Sequence, residues 1–222
     1  PSERRLCDRL GVSRASLREG LRILRSKGII DTRQGHGSTV ATLLPVSNQS
    51  PLMHLFKDHP RTLFDLLEVR ALLEGESAWL AANRGTSADR VLITRRYREM
   101  ADYVESAETI DVERLARLDH AFHLAVSQAS HNPVLVHTLQ SLTDLLLSSV
   151  FASVKHLYHL PVPRAMINQQ HAQLHDAVVS GEAAQAKQVA LEHLSSISQL
   201  LRDLEVEHDR LERSSMRLEE WQ

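Results

Sequence analysis

The sequence predicts a mainly α-helical protein with two parts, an N-terminal winged helix-turn-helix and a larger all-helical bundle. Residues 2–40 have the pattern helix, tight turn, helix and hairpin, and the chain after residue 61 has helical periodicity with few glycines or prolines. A stretch rich in proline and polar residues separates these two parts. We therefore expect a winged-helix domain at 1–42, a linker at 43–60, a helical domain at 61–212 and a C-terminal tail at 213–222.

The first part reads as two short helices followed by a hairpin. Ser2 is placed to cap the first helix and Gly11 to end it, and the second helix opens near Ser13 and ends at Gly28. Two short extended runs then flank the glycine-containing turn 34–37, which is typical of a β-hairpin or wing.

The second part predicts helices and no strands. Glycine and proline are scarce inside the periodic segments, and no segment alternates apolar and polar residues. The predicted helices lie near 61–84, 87–106, 110–130, 133–158, 163–180 and 182–212.

Composition and charge limit the possible functions. The 222 residues are 42% hydrophobic, which supports a folded core and argues against disorder. The net charge is only -2, but residues 2–40 contain nine basic and four acidic side chains, so we expect this end to meet a polyanion. Cys7 is the only cysteine, so no disulfide can form within the chain, which suits a reducing compartment. No apolar run reaches the ~18 residues of a membrane span. These features predict a cytoplasmic protein without a membrane partner.

The second helix has the composition of a recognition helix that binds double-stranded DNA. Its first turns carry arginines and serines, and an arginine there can read guanine with two hydrogen bonds. The wing tip is slim enough to enter a minor groove. The alternative is that these arginines only solvate a helix face. The predicted DNA-binding residues are Arg4, Ser13, Arg14, Ser16, Arg18, Gly35 and His36.

The motifs PSERRL, VSRASLREGL and QGHG together resemble the winged helix of the GntR family of regulators. This resemblance implies a DNA-binding transcription regulator. It also implies that the family's first DNA-domain helix would lie before Pro1, so that this domain is N-terminally incomplete.

Polar residues interrupt the apolar stripes of three helices in the second part. Asp119 and His123 are four residues apart in one stripe, and His171 and His193 interrupt two others. Buried carboxylates and imidazoles are costly unless they share a partner, and a divalent metal such as Zn or Ni would suit three histidines and one aspartate. The alternative is that each histidine is satisfied separately in the core.

Arg70 interrupts the apolar stripe of the helix predicted at 61–84. A buried guanidinium needs a carboxylate. An internal partner such as Glu68 or Glu74 is expected to point elsewhere on the helix, which leaves a ligand carboxylate as the other possibility.

The motifs EVRALLE, LDHAFHLAVSQASHNP, QHAQLHDAV and ALEHL resemble the FCD effector domain of the FadR subgroup. The resemblance implies that Asp119, His123, His171 and His193 bind the metal and that Arg70 faces a small carboxylate effector. Gln170 stands where many members have glutamate, which should tune the site without changing its ligands.

The effector helices further resemble activators of glycolate-utilisation genes, which implies glycolate as the effector. A 2-hydroxy acid could chelate a metal through its carboxylate and hydroxyl oxygens while Arg70 holds the carboxylate. The same class of regulator could instead sense lactate, pyruvate or a sugar acid. A metal-dependent enzyme is the less favoured alternative, because no residue is set aside as a general base.

We also expect a homodimer on a palindromic operator, because one winged helix buries little surface and two-fold symmetry doubles the contacts. The amphipathic stretch Leu200 to Leu218 could pack along its own domain or between protomers.

Overall fold

The computed structural model describes residues 2–33, 37–41, 59, 61–107, 109–149, 157 and 160–219. It divides the chain into two compact units, Pro1–Pro45 and Val46–Gln222. The division falls inside the predicted linker 43–60. The wing-tip residues Gly35 and His36, and all of that linker except His59, lie outside the described residues.

The first unit consists of two helices and a hairpin, as the sequence predicts. Its elements are α1 (Glu3–Leu10), α2 (Arg14–Ser26), β1 (Ile30–Arg33) and β2 (Gly37–Val40). The strands are antiparallel, with Ile30 opposite Val40 and Arg33 opposite Gly37. Leu17 and Ile30 are its buried apolar side chains among the described residues.

Local signals in the sequence explain where α1 and α2 begin and end. Ser2 and Ser13 have extended backbones, and each side chain accepts a hydrogen bond from the backbone N–H three residues later. Gly11 ends α1 in the left-handed conformation, at φ 64°, which glycine adopts without steric cost. The short connection from Gly11 to Ser13 is the turn of the helix-turn-helix.

The second unit is helical throughout its described residues. Its helices are α3 (Thr62–Arg84), α4 (Ser87–Ser106), α5 (Val112–Ala129), α6 (Pro133–Ser149), α7 (Pro161–Ser180) and α8 (Ala183–Glu219). Within the described ranges, no helix is both long and apolar enough to cross a membrane.

Several helix ends differ from the predicted ones for physical reasons. Asp111 caps α5 through two backbone N–H groups, so this helix begins two residues later than predicted. Pro161 lies in the first turn of α7, where a missing N–H costs nothing. The last helix continues to Glu219 rather than ending near 212, because no glycine or proline interrupts it. The predicted tail therefore begins inside α8.

α3 and α8 pack closely along each other and position much of the helical unit. A Cβ atom placed on Gly75 would lie 3.1 Å from the Leu191 side chain, so glycine allows this close approach. Lys187 reaches across to Glu76 with a 2.7 Å hydrogen bond. The main core lies next to these helices and is centred on fully buried Phe122.

Candidate functional site

The start of α2 presents the predicted DNA-binding residues of the helix-turn-helix on its surface. Ser13 caps the helix, and its hydroxyl lies 2.9 Å from the hydroxyl of Ser16. Arg14 follows directly, is exposed, and has no hydrogen-bonding or ionic partner within the described part of the chain. The guanidinium of Arg14 is therefore available to an external acceptor.

Arg18 differs from Arg14 because it already has a partner. Its Nε donates a 3.0 Å hydrogen bond to Oε2 of Glu3, which links α2 to α1. Both side chains remain exposed, so this pair orients Arg18 more than it stabilises the fold. Arg4 is exposed on α1.

In the helical unit, the structure brings together the four residues that the sequence singles out for a metal. α5 supplies Asp119 and His123, α7 supplies His171 and α8 supplies His193. One nitrogen from each of the three histidines lies within 4.8 Å of the others. Oδ1 of Asp119 lies 3.1 Å from Nε2 of His171 and 3.9 Å from Nε2 of His123.

The converging atoms fit a metal ion. Nε2 of His123 and Nε2 of His171 are only 3.2 Å apart, and Oδ1 of Asp119 is fully buried without a well-aligned hydrogen-bond donor. In a tetrahedral site with bonds of about 2.0–2.1 Å, ligand atoms lie roughly 3.3 Å apart. The distances from Nε2 of His171 to Oδ1 of Asp119 and to Nε2 of His123 are close to that value, whereas the Asp119–His123 distance is longer. Nitrogen and oxygen donors suit a first-row divalent cation.

Glu74 fixes the orientation of His123 from α3. Its Oε2 lies 3.1 Å from Nδ1 of His123, so Nδ1–H can donate to it and Nε2 is left facing the cluster. Its Oε1 accepts hydrogen bonds from Nε and Nη2 of Arg70. The chain Arg70, Glu74, His123 therefore leads into the cluster.

This arrangement corrects the expectation that Glu74 points away from Arg70. Residues four apart lie on one helix face, and the pair is buried, with 11% of the Arg70 side chain and 8% of the Glu74 side chain exposed. The guanidinium therefore has an internal carboxylate partner. The spacing of four residues was the signal in the sequence that identifies Glu74.

Gln170 has the corresponding role at His193. Its Oε1 lies 3.1 Å from Nδ1 of His193, and its Nε2 donates to the hydroxyl of Ser196. The Ser196 bond fixes the amide so that its oxygen faces the ring, and His193 then presents Nε2 to the other histidines. Nδ1 of His171, by contrast, is buried without a hydrogen-bond partner among the described residues.

Both carboxylates near the cluster are held in their charged form. Burial alone would raise the pKa of Glu74, but Arg70 and His123 hold it well below its usual range. Burial likewise opposes ionisation of Asp119, but the nearby imidazoles of His171 and His123 hold its pKa well below the usual range. Asp119 therefore offers the cluster a charged carboxylate, which favours a cation.

The imidazoles respond to the same surroundings in opposite directions. Burial, with His171 and His123 nearby, lowers the pKa of His193 well below its usual value, so His193 is neutral and has an electron pair to donate. Burial would also lower the pKa of His123, but the Glu74 carboxylate outweighs it and raises this pKa above the usual value.

The cluster is more accessible from the α5 side than from the α7 and α8 side. The side chain of Asp119 is 23% exposed and that of His123 is 12% exposed. His171 and His193 are almost fully buried. A small cavity reaches Glu74 and His123 between α3, α5 and α6, and His120 also lines it. The sequence pattern does not single out His120.

Comparisons with protein families assign both units. Residues 1–40 match the model for bacterial regulatory proteins of the gntR family, and residues 65–196 match the FCD domain. The second match alone covers more than half of the chain.

Similarity to individual proteins extends over nearly the whole chain. It is 55% identical over 99% of its length to the Glc operon transcriptional activator (GlcC) of Escherichia coli (strain K12), covering 86% of that protein. It is 36% identical to the putative L-lactate dehydrogenase operon regulatory protein of the same organism, covering 89% of this chain and 75% of that one. A solved structure, Streptococcus agalactiae GntR, is 25% identical with a TM-score of 0.60, covering 90% of this chain and 88% of that chain.

These relatives are transcription regulators, so the alternative of a metal-dependent enzyme is wrong. The helix-turn-helix with its wing and the all-helical second unit agree with the two family matches. The chain belongs to the GntR family of bacterial DNA-binding transcription regulators and carries an FCD domain after its winged helix.

Proposed function

We propose that this regulator controls transcription in response to a small 2-hydroxy acid, glycolate, bound beside a divalent metal in the helical unit. The observation that carries the proposal is the convergence of Asp119, His123, His171 and His193 next to the buried guanidinium of Arg70. Binding a hydroxy acid in this way needs metal ligands and a cation for its carboxylate. This region of the helical unit contains both.

The metal would be held by Asp119, His123, His171 and His193, with Zn or Ni the best matches to this donor set. A bound divalent cation would supply a Lewis acid that accepts the carboxylate and hydroxyl oxygens of the effector. Glu74 and Gln170 would hold His123 and His193 in place through their Nδ1–H groups.

Arg70 would receive the effector carboxylate without leaving Glu74. Its Nε and Nη2 donate to Glu74, whereas its Nη1 donates to no protein group among the described residues. A guanidinium has five N–H donors, so a second carboxylate can use the remaining ones. Effector binding would then add to the chain of contacts that reaches His123.

Glycolate is favoured over other acids by the 55% identity to the Glc operon activator together with the resemblance of the effector helices to glycolate-responsive regulators. The same relative, an activator by its name, supports activation rather than repression of glycolate-utilisation genes. Lactate is the second candidate, because the chain is 36% identical to a putative L-lactate dehydrogenase operon regulator.

On DNA, Arg4, Arg14 and Arg18, with the wing, would contact a palindromic operator, and the protein would bind it as a homodimer. The exposed guanidinium of Arg14, which has no partner in the described part of the chain, supports base reading by that residue. A regulator of bacterial genes acts where the chromosome is, which supports a cytoplasmic location.

Calorimetry on metal-loaded and chelator-stripped protein tests the effector proposal. We expect glycolate to bind the loaded protein, L-lactate and acetate to bind more weakly, and all binding to be lost after chelation. His171→Ala should abolish stoichiometric metal and glycolate binding together. His208→Ala, an exposed histidine on α8, serves as the matched control and should change neither.

Two outcomes would contradict the proposal. If acetate binds as well as glycolate, the hydroxyl group has no role in recognition. If His171→Ala retains one metal per chain, the cluster is not the metal site.

A further inference from the structure

The small cavity beside the cluster is lined by both polar and apolar side chains. It lies between α3, α5 and α6. Its volume is only about 10 Å³, counted as the space open to the centre of a water molecule, so it has room for about one water. Its polar wall includes Glu74 and His123. Its apolar wall, as we call the apolar part of the lining, is formed by Leu124 from α5 and Val136 and Leu139 from α6. Gln140 and Thr143 of α6 also line the cavity.

The position of this cavity suits the part of an effector that does not touch the metal. Of the four candidate ligands, Asp119 and His123 on α5 keep the more exposed side chains, so the cluster is approached from the α5 side. His123 belongs both to the cluster and to the cavity wall. A small acid bound beside His123 would therefore place its carbon skeleton next to α6.

The apolar wall is held firmly in place. Val136 and Leu139 are three residues apart and share one face of α6, and both are buried. Leu139 packs against Leu80 and Leu135, so the α3–α6 contact supports it from behind. A side chain packed on both sides does not swing away to admit a larger ligand without a cost in packing.

We propose that Val136 and Leu139 select the effector by size, accepting the CH2 carbon of glycolate and rejecting the extra methyl group of lactate. This inference rests on the proposed function, because it concerns the effector of the same site. One additional methyl group in an apolar pocket changes discrimination about tenfold to two-hundredfold. The wall therefore accounts for the choice between the two acids that the metal ligands and Arg70 treat alike.

Calorimetry with glycolate, L-lactate and D-lactate on the metal-loaded protein tests this wall. Val136→Ala and Leu139→Ala enlarge the cavity, and each should reduce the preference for glycolate over lactate by about tenfold or more. Val136→Ile narrows the cavity. It should increase the preference for glycolate over lactate and also weaken the binding of glycolate. Val134→Ala, at an exposed position on the same helix, is the matched control and should keep the wild-type preference.

Leu139 is part of the core, so Val136→Ala decides the outcome if Leu139→Ala does not fold. A wild-type ratio of affinities in Val136→Ala, with glycolate still bound, would overturn this inference and leave the proposed function intact. Absence of binding by any of the three acids to wild-type protein would overturn both.

Discussion

Removing Arg70 is expected to destabilise the helical unit because it leaves a buried carboxylate without its cation. Glu74 accepts two N–H groups from Arg70, and both side chains are about nine-tenths buried. In Arg70→Ala, Glu74 would keep its contact with Nδ1 of His123 but lose the guanidinium. The carboxylate would then be less well compensated in a region that water scarcely reaches.

The expected magnitude follows from burial. Breaking a buried ion pair by removing one partner costs about 3–5 kcal/mol, whereas an exposed pair contributes little. The chain offers a matched control in Arg95 and Glu99, which are also four residues apart in a helix, with 70% of the Arg95 side chain exposed. We therefore expect a large loss of unfolding free energy in Arg70→Ala and none measurable in Arg95→Ala.

Urea unfolding of chelator-treated protein, followed by circular dichroism, measures this difference without a contribution from bound metal. The double variant Arg70→Met with Glu74→Leu should recover a large part of the loss, because it removes both charges. Equal effects of Arg70→Ala and Arg95→Ala would refute the reasoning. So would an Arg70→Ala variant that loses less than about 1 kcal/mol.

Three further predictions concern other parts of the molecule. Arg14→Ala should weaken binding to a selected operator by about 1–3 kcal/mol and relax its sequence preference, measured by fluorescence anisotropy at fixed salt. Gln170→Ala should lower metal affinity about 10–100-fold in competition with a chelator, because His193 loses its orienting acceptor. Asp89→Asn should lower the free energy of unfolding, measured with urea at neutral pH, by about 1 kcal/mol. The reason is that Asp89 accepts a hydrogen bond from the backbone N–H of Thr86 in the capping box of α4. Thr86 and His131 lower the pKa of Asp89 in the folded state, so this contribution is present above its unfolded value of about 3.9 and is lost as the pH falls through the folded value.

Much of the fold follows from local signals in the sequence. Serine caps, the glycine after α1 and the change of periodicity after residue 61 placed most element ends within a few residues of their observed bounds. The predicted end of α6 near 158 lies outside the described residues. The largest difference among the described residues is the end of α8. Sequence reasoning stopped it near 212, but a polar helix continues as long as no residue breaks it and neighbours four apart, such as His208 and Glu212, can pair.

The candidate site was predictable only in part. A polar residue on an apolar stripe reveals that it faces inward, which singled out His171 and His193. The distances between the stripes depend on how three helices pack, so the convergence of the nitrogens needed the structure or the family resemblance. Glu74 was misplaced because its spacing from Arg70 was read as pointing away, although residues four apart share a face.

The most direct test is the affinity of the metal-loaded protein for an operator as glycolate is added. The operator would be a duplex selected by the protein from a random pool, and anisotropy would report the Kd at fixed salt and metal. We expect glycolate to change the Kd of the metal-loaded wild type and to leave that of His171→Ala unchanged. An operator Kd that does not change at saturating glycolate, or that changes equally in His171→Ala, would contradict this expectation.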